Sequence, residues 1–284
     1  MASPMSAADP APSLALDRAL AIIELLTAEP GGLPLLGIAE QLDIPRSATH
    51  RLLTSLLDHG YVRQDRDRGF YTLTSKLLSL AFTHLAVTGI VDTAQPVLER
   101  LAAETSELVR LSVVDGDRLT WVAKAQGACS GLRYDPEMGM EARLSCSATG
   151  FAWLSTMTDA DALALVAQQG FGPRDMFGPN APQTPGELLK HLEQARRKGY
   201  SVAVRTFYDW MAAIAAPVRH PVSGAVVGTV SIAGPITRLD EQRLEEMAPL
   251  LLAAAAEISS VMPGSPALAH RAGSSSAAPV RRVS

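Results

Sequence analysis

In the N-terminal part of the chain, apolar residues recur at helical spacing and predict three helices. The first lies within residues 13–29 and has its apolar positions at Leu16, Leu20, Ile23 and Leu26. The second is LLGIAEQL, residues 35–42, whose apolar residues fall at i, i+3, i+4 and i+7 and so share one face. Asp43-Ile44-Pro45 interrupts this pattern. A third helix is predicted from about Pro45 to Asp58, because proline suits the first turn of a helix.

The third helix has two chemically distinct faces. Ala48 and the leucines at 52, 53 and 56 share one arc of the helical wheel. The opposite arc carries Arg46, Ser47, His50, Arg51 and Thr54. Guanidinium, imidazole and hydroxyl groups reach base edges in the major groove and phosphate oxygens beside it. The pattern therefore predicts a helix-turn-helix whose second helix reads double-stranded DNA.

A β-hairpin is predicted directly after this helix. Gly60 suits the left-handed position that ends a helix. Tyr61-Val62 and residues 70–73 have strand character, with a charged tip between them. The hairpin resembles a wing, and its three arginines are expected to face the DNA backbone: Arg63, Arg66 and Arg68.

The rest of the chain mixes helical periods with strand alternation. Residues 75–90 carry an apolar stripe of Leu77, Leu80, Ala81, His84 and Leu85, which is typical of a helix that pairs with a partner. Two later hairpins are predicted, one turning at Asp115-Gly116-Asp117 and one near Ser223-Gly224. Hairpins combined with segregated helices indicate an α+β domain on an antiparallel sheet. Residues 1–12 and 262–284 lack periodicity and are expected to be a disordered lead-in and a flexible tail.

Composition excludes several classes of protein. The chain of 284 residues allows two modest domains, and its net charge of −4 does not by itself indicate a nucleic-acid binder. Two cysteines, Cys129 and Cys146, are too few for a disulfide framework and lack metal-ligand spacing, so no metal or cofactor is expected. There is no apolar run of about 18 residues and no secretory signal pattern, so a cytoplasmic protein without membrane contact is expected.

RALAIIELL, IAEQLDIPRSATHRLLTSL, and GYVRQD followed by YTL resemble the winged helix-turn-helix of the isocitrate lyase regulator (IclR) family of bacterial transcription factors. The likeness extends from Ser13 to Ser260. It implies an α+β protein with an N-terminal winged helix-turn-helix, a linker helix at a dimer interface, and a C-terminal effector-binding domain similar to the GAF and PAS folds. The implied function is control of catabolic genes by a homodimer or dimer of dimers on a palindromic operator, in response to a small organic acid.

This interpretation divides the chain into five parts: lead-in 1–12, winged helix-turn-helix domain 13–74, linker helix 75–90, effector-binding domain 91–261 and flexible tail 262–284. Within the effector-binding domain, RLSCSATGFAWLS lies where the family usually has a motif like PLHCTAxGKALLA. The resemblance places Ser145, Cys146, Ser147, Ala148 and Gly150 on a strand-to-helix turn whose amides point into the effector pocket, which favours a carboxylate. Arg143, Ser145 and Phe151 replace a usual proline, histidine and lysine.

A second family motif, like GYAxDxEExxxGxxCIAAPV, matches GYSVAVRTFYDWMAAIAAPV only at its ends. Trp210 stands where glycine is usual and Ala213 where cysteine is usual. The aromatic residues at 207, 208 and 210 predict a pocket wall for an aromatic or otherwise hydrophobic acid, although they could instead fill a core or cover a dimer surface. Arg133 and Arg143 are candidate partners of the carboxylate, with surface arginines as the alternative. The predicted effector residues are Arg133, Arg143, Ser145, Cys146, Ser147, Ala148, Gly150, Phe151, Trp210 and Ala213.

Two other functions compete with a regulator. Cys146 could be an enzyme nucleophile with His220 or His191 as its base, but no GxSxG-type elbow surrounds it, so no catalytic residue is expected. Alternatively, the helix-turn-helix could serve as a protein-interaction module without DNA binding, because the positive charge excess of this region is small.

Overall fold

A computed structural model describes residues 14–65, 67–88, 90–136 and 138–261. The chain divides into two compact units, residues 1–84 and 85–284. The lead-in, the tail and Arg66 of the predicted wing lie outside the described residues. The side chains of the predicted linker stripe from His84 onward also lie outside them. No helix in the described ranges has both the length and the apolar content needed to cross a bilayer.

The N-terminal unit is a winged helix-turn-helix. Its helices are α1 (Leu14–Ala28), α2 (Leu35–Gln41), α3 (Arg46–Asp58) and α4 (Lys76–Thr88), and its strands are β1 (Leu33–Pro34), β2 (Val62–Gln64) and β3 (Phe70–Leu73). The strands form an antiparallel sheet in the order β1-β3-β2. Sequence analysis did not predict β1, whose proline is compatible only with a sheet edge such as this one. Gly60 has a φ of 71°, so the predicted left-handed end of α3 is confirmed.

The core of this unit holds α3 between α1, α2 and the sheet. The buried residues are Ile22, Leu26, Ile38, Leu53, Leu56, Val62 and Tyr71. The predicted inner face of α1 is wrong for its first two positions, because Leu16 is 58% exposed and Leu20 is 49% exposed. α1 has more apolar residues than one face can bury, and packing against α3 and β3 selects the face with Ile22 and Leu26.

The C-terminal unit is a five-stranded antiparallel sheet covered by helices, so the predicted α+β class is confirmed. Its helices are α5 (Ile90–Thr105), α6 (Ala148–Leu154), α7 (Asp159–Gln169), α8 (Pro185–Lys198) and α9 (Glu241–Val261). Its strands are β4 (Leu108–Asp115), β5 (Arg118–Gln126), β6 (Ser201–Val204), β7 (Met211–Arg219) and β8 (Val226–Pro235), in the order β5-β4-β8-β7-β6. Both predicted hairpins are present, as β4-β5 and β7-β8.

The two faces of this sheet differ in the size of their residues. α5 and α9 pack on one face, against β7 and β8 residues such as Ile214, Val230 and Ile232. α6 and α8 lie on the other face, where β7 contributes Ala213 and Ala215. Because side chains alternate along a strand, β7 presents Ile214 to the first face and the short side chains of Ala213 and Ala215 to the second. These alanines leave room beside the sheet on the α6 side.

Candidate functional site

The outward face of α3 is polar, as the wheel predicted. Arg46, Ser47, His50, Arg51 and Thr54 are all exposed, and the Thr54 hydroxyl donates to the His50 carbonyl oxygen at 2.9 Å. The inner face buries Leu53, Leu56 and also Thr49, whose hydroxyl bonds back to the Pro45 carbonyl at 3.3 Å. The helix is thus fixed by its inner face, and its polar groups remain free to meet a ligand.

The wing holds its basic side chains in different ways. Arg63 on β2 donates through Nε to the Thr72 hydroxyl on β3 at 3.1 Å, which keeps its side chain along the hairpin. Arg68 pairs with Asp65 at 3.2 Å and lies over the ring of Phe70. Backbone N–H groups of residues 67 and 68 lower the pKa of Asp65, so this carboxylate stays charged and offsets part of the charge of Arg68. Of these two arginines, Arg63 offers its full charge to a phosphate.

A cavity lies beside the small-residue face of the C-terminal sheet. In adjacent strands, Ala213 is opposite Ala233, and Ala215 is opposite Ser231. None of these side chains reaches far from the sheet, and α6 covers the gap that they leave. The cavity has a volume of about 10 Å³, room for about one water molecule, and is lined by Arg110, Trp121, Ser147, Ala148, Thr149, Phe207, Met211, Ala213, Ser231 and Ala233.

The start of α6 is anchored tightly over this cavity. The Ser147 hydroxyl donates to the Arg143 carbonyl at 2.6 Å and accepts from the Gly150 N–H at 2.9 Å, which caps the helix. A Cβ on Gly150 would lie 2.5 Å from the Leu144 carbonyl oxygen, so only glycine allows this approach. The wall formed by residues 147–149 is therefore held in one position by both hydrogen bonds and packing.

The loop between β6 and β7 supplies the aromatic wall. Arg205 has a φ of 57°, and the Thr206 hydroxyl donates to the Cys146 carbonyl at 2.6 Å, which ties the loop to the turn before α6. A side chain at Gly178 would collide with the Arg205 carbonyl, so a neighbouring segment packs on the loop backbone. Phe207 lines the cavity from this loop.

The loop aromatics form a continuous cluster at the mouth of the site. Phe207 packs edge-on against Tyr208 at 4.7 Å between ring centroids, and Tyr208 stacks on Trp210 at 5.5 Å. Tyr134 meets Trp210 edge-on at 5.6 Å. The predicted clustering of aromatic residues near the effector motif is present, with Tyr134 as a member that sequence analysis did not include.

Arg110 on β4 is the cation of this cavity, and sequence analysis missed it. Its side chain is only 4% exposed, and its guanidinium carbon lies 3.9 Å from the ring centre of Trp121 and 5.4 Å from that of Tyr134. Burial lowers the pKa of Arg110, while Tyr134 acts in the opposite direction. The signal was present in the sequence, because Arg110 is a charged residue between Val109 and Leu111 in an otherwise apolar strand.

Two donors in the cavity wall have no hydrogen-bond acceptor among the described residues: Nε of Arg110 and Nε1 of Trp121. The acidic residue that immediately precedes β4, Glu107, is engaged elsewhere. It accepts two hydrogen bonds from Arg238, at 2.6 and 2.8 Å. Within the described ranges, no carboxylate forms an ion pair with Arg110.

The structure places the predicted effector residues in three different environments. Ser147, Ala148 and Ala213 line the cavity, and Trp210 belongs to the aromatic cluster beside it. The lining of this cavity does not include Ser145, Cys146, Gly150 or Phe151, which are all buried. Phe151 instead stacks on His191 of α8 at 4.6 Å, because it occupies the side of α6 that faces α8.

The two arginines predicted as carboxylate partners do not line this cavity either. Arg133 is half-exposed and lies 3.7 Å from Asp135 in a surface ion pair. Arg143 lies over the ring of Phe177 at 5.4 Å, and its Nε is buried without an acceptor among the described residues. The resemblance implied an anion site at the turn before α6, whereas the cation that lines the cavity, Arg110, lies on strand β4 of the sheet.

The environment of Cys146 does not suit a nucleophile. Burial raises the pKa of its thiol to about 12, whereas thiolate chemistry near neutral pH needs a lowered pKa. His191 is stacked against Phe151 and burial lowers its pKa, and His220 accepts backbone N–H groups of its own turn at 3.3 Å. In the part of the chain that the structure describes, no His, Cys, Asp and Glu side chains are grouped as a metal site would require.

Comparison with known proteins identifies both units. The family profile described as "Bacterial transcriptional regulator IclR C-terminal" matches residues 82–260, and the profile "IclR helix-turn-helix domain" matches residues 15–66. Among curated proteins, the HTH-type transcriptional repressor AllR of Escherichia coli K12 is 28% identical over 248 residues, covering 87% of this chain and 90% of AllR.

Solved structures show the same fold. The crystal structure of Thermotoga maritima IclR superposes with a TM-score of 0.71 at 25% identity, covering 87% of this chain and 98% of that one. An IclR homologue from Microbacterium hydrocarbonoxydans, crystallised with 4-hydroxybenzoate, gives a TM-score of 0.72 at 21% identity and covers 88% of this chain and 100% of that one. The overlap includes the helix-turn-helix and the sheet domain in both cases.

Proposed function

The chain belongs to the IclR family of bacterial transcriptional regulators, and we propose that it reads its operator through α3 and the wing. The polar face of α3, exposed over a leucine-packed inner face, is the observation that supports this most directly. Arg46 and Arg51 can bond to guanine edges, and Ser47, His50 and Thr54 can bond to bases or phosphates. The proposed backbone contacts are Arg63, Arg66 and Arg68 of the wing.

We further propose that the protein acts in the cytoplasm as a homodimer or dimer of dimers on a palindromic operator. Leu80 is 50% exposed on α4 and Ala81 is also exposed, and both belong to the predicted apolar stripe of the proposed linker helix of residues 75–90. An exposed apolar helix face favours pairing with a second copy. Two copies related by a two-fold axis would present two α3 helices to two half-sites.

The proposed effector is a small organic acid held in the C-terminal unit, which we assign to residues 91–261. The cavity beside α6, with aromatic walls and a buried arginine, supports this assignment. The relative crystallised with 4-hydroxybenzoate has the same fold, so an aromatic acid is a sensible first ligand to test. We propose that the effector controls genes for the catabolism of such compounds, either by releasing the protein from DNA or by recruiting it.

A fluorescence anisotropy titration against the upstream intergenic DNA of the protein's own gene tests the DNA-reading assignment. The salt concentration is held constant, because phosphate contacts make affinity strongly dependent on salt. Arg46→Ala is expected to weaken specific binding by about 1–3 kcal/mol, which is the typical loss for a base-contacting arginine.

Arg197→Ala is the matched control, because it removes an exposed arginine from α8 in the other unit and leaves α3 intact. It should bind as the wild type does. Equal binding by Arg46→Ala and wild type would refute the assignment of α3 as the reading helix. Absence of specific binding by every protein, with and without organic acids, would favour a protein-interaction module instead.

A further inference from the structure

We propose that Arg110 is the residue that binds the effector's carboxylate, and that the effector is an aromatic monocarboxylate. This inference rests on the proposed function, because it assigns the chemistry of the ligand in the sensor cavity. It differs from the expectation drawn from sequence, in which Arg133, Arg143 and the turn before α6 receive the anion.

The first argument is the charge of the cavity wall. Removing a guanidinium from water is costly unless an anion and hydrogen-bond acceptors replace the water. Arg110 is almost completely buried, and no described carboxylate pairs with it. Its main contacts are the rings of Trp121 and Tyr134, and Tyr134 also hydrogen-bonds to it, but neither side chain supplies a negative charge and Nε remains without an acceptor. A bound carboxylate would supply the missing negative charge.

The second argument is the arrangement of donors. Nε of Arg110 is buried and has no acceptor among the described residues, and the same is true of Nε1 of Trp121. Both residues line the same cavity. A guanidinium presents Nε–H together with a terminal N–H as a planar fork that matches the two oxygens of a carboxylate. Trp121 can add a third donor to one of those oxygens.

The third argument concerns the shape of the remaining ligand. The floor of the cavity is made of Ala213 and Ala233, and Phe207 and Trp121 supply its aromatic walls. The cavity volume is about 10 Å³, room for about one water molecule, so a ligand can enter only when the wall at Phe207 is displaced. A flat ring that bears one carboxylate fits between aromatic walls with less displacement than a bulkier acid needs. A second carboxylate would have no described cation within this lining apart from Arg110.

The other two arginines lack this combination of features. Arg133 is exposed and already paired with Asp135. Arg143 has an unpaired Nε, but its guanidinium is held between Phe177 and the backbone at Gly172, outside the lining of this cavity. Arg110 alone among these three is both buried and part of the cavity wall.

Isothermal titration calorimetry of the full-length protein with benzoate, benzamide and cyclohexanecarboxylate tests the proposal. Benzamide keeps the ring and removes the charge, and cyclohexanecarboxylate keeps the charge and removes the flat ring. Benzoate is expected to bind at least about tenfold more tightly than benzamide, because a charged hydrogen bond contributes roughly 1.5–3 kcal/mol. It should also bind more tightly than cyclohexanecarboxylate, because only a flat ring can pack face to face or edge to face with Trp121 and Phe207. Equal binding of benzamide would overturn the carboxylate assignment, and equal binding of cyclohexanecarboxylate would overturn the aromatic one.

Variants of Arg110 then test whether this residue binds the carboxylate. Arg110→Met, which keeps a long unbranched side chain without the guanidinium, should reduce benzoate affinity by about tenfold or more. Arg110→Lys keeps the charge and loses the fork, so it should bind benzoate with intermediate affinity. Arg118→Met is the matched control, because Arg118 lies on β5 of the same sheet but is exposed. Benzoate binding by Arg110→Met equal to that of wild type would overturn the proposal.

Operator binding, measured on the same preparations without ligand, separates this proposal from the proposed function. DNA binding by wild type and by Arg110→Met shows that both proteins are folded and that the regulator assignment holds. If wild type binds its operator but no acid of the panel binds in the millimolar range, the effector assignment is wrong and the regulator stands. If benzoate binds through Arg110 but no operator is recognised, the carboxylate site stands and the DNA-reading proposal fails.

Discussion

Arg110 is a buried cation without an ion-pair partner among the described residues of the sensor unit. Even a buried ion pair can often be replaced by apolar residues of similar volume with a neutral effect or a gain of about 1–4 kcal/mol, and an unpaired buried charge is costlier to keep. Arg110→Met is therefore expected to unfold at the same or a higher temperature than wild type, which calorimetry can measure. Saturating benzoate should raise the unfolding temperature of wild type and leave the variant unchanged, since a ligand stabilises only the form that it binds. A strongly destabilised variant would show that Arg110 supports the fold rather than a ligand.

The two cysteines are expected to differ sharply in reactivity. Cys129 is exposed and Cys146 is buried. A disulfide reagent at mildly alkaline pH should modify Cys129 rapidly and Cys146 only as fast as the unit opens. Cys129→Ser and Cys146→Ala, each leaving one thiol, assign the two phases. Rapid labelling of Cys146 in the folded protein would revive the interpretation of this residue as a nucleophile.

The raised pKa of Cys146 also predicts a dependence of stability on pH. In the folded state the pKa is about 12, compared with 9.0 for an unperturbed thiol. Between these values the folded state retains a proton that the unfolded state releases, so the free energy of unfolding falls as pH rises. Cys146→Ala removes this contribution. Denaturant unfolding at several alkaline pH values should therefore give a steeper decline for wild type than for Cys146→Ala.

At the scale of elements, the position of α6 depends on Gly150. A methyl group there would lie 2.5–2.8 Å from backbone atoms of Leu144, which cannot move as a flexible side chain would. Gly150→Ala should destabilise the sensor unit by about 1–3 kcal/mol, as overpacking typically does. Thermal or denaturant unfolding measures this loss.

Gly186→Ala provides the control for a glycine in a helix. Gly186 lies in the first turn of α8, and a Cβ there would meet no atom within 4 Å. Alanine at such a position is expected to be neutral or to stabilise by up to about 1 kcal/mol. Equal effects of the two substitutions would show that the close approach of α6 to Leu144 is not needed.

Elements with a strong local signal were predictable. The polar face of α3, the end of α3 at Gly60 and both sensor hairpins follow from periodicity and turn chemistry alone. Features set by tertiary contacts were not predictable from the sequence. The buried face of α1 is chosen by its neighbours, and β1 exists only because β3 pairs with it. Arg110 was missed because no local pattern distinguishes a buried cation from a solvated one.

At the scale of the whole molecule, the net charge of −4 requires that DNA binding be local. α3 exposes Arg46 and Arg51 on the N-terminal unit, while the proposed effector cavity lies in the other unit. An acid in that cavity can alter operator affinity only if it binds the DNA-competent and DNA-incompetent arrangements with different affinities. The coupling free energy between the two sites is then the same whether it is measured through the acid or through DNA.

Because the coupling free energy is the same for both ligands, it gives a prediction that holds whether the acid releases the protein from DNA or recruits it to DNA. If benzoate changes operator affinity by some factor, operator DNA must change benzoate affinity by the same factor, taken over all acid sites in one complex. Anisotropy with saturating benzoate measures the first factor, and calorimetric titration of benzoate into protein with and without operator DNA measures the second. In Arg110→Met, a benzoate concentration that saturates wild type should leave operator affinity unchanged, and operator DNA should leave benzoate affinity unchanged. Arg118→Met should show the same two factors as wild type. Unequal factors in wild type would mean that benzoate also acts at a second site, because one site linked to one DNA surface cannot violate reciprocity.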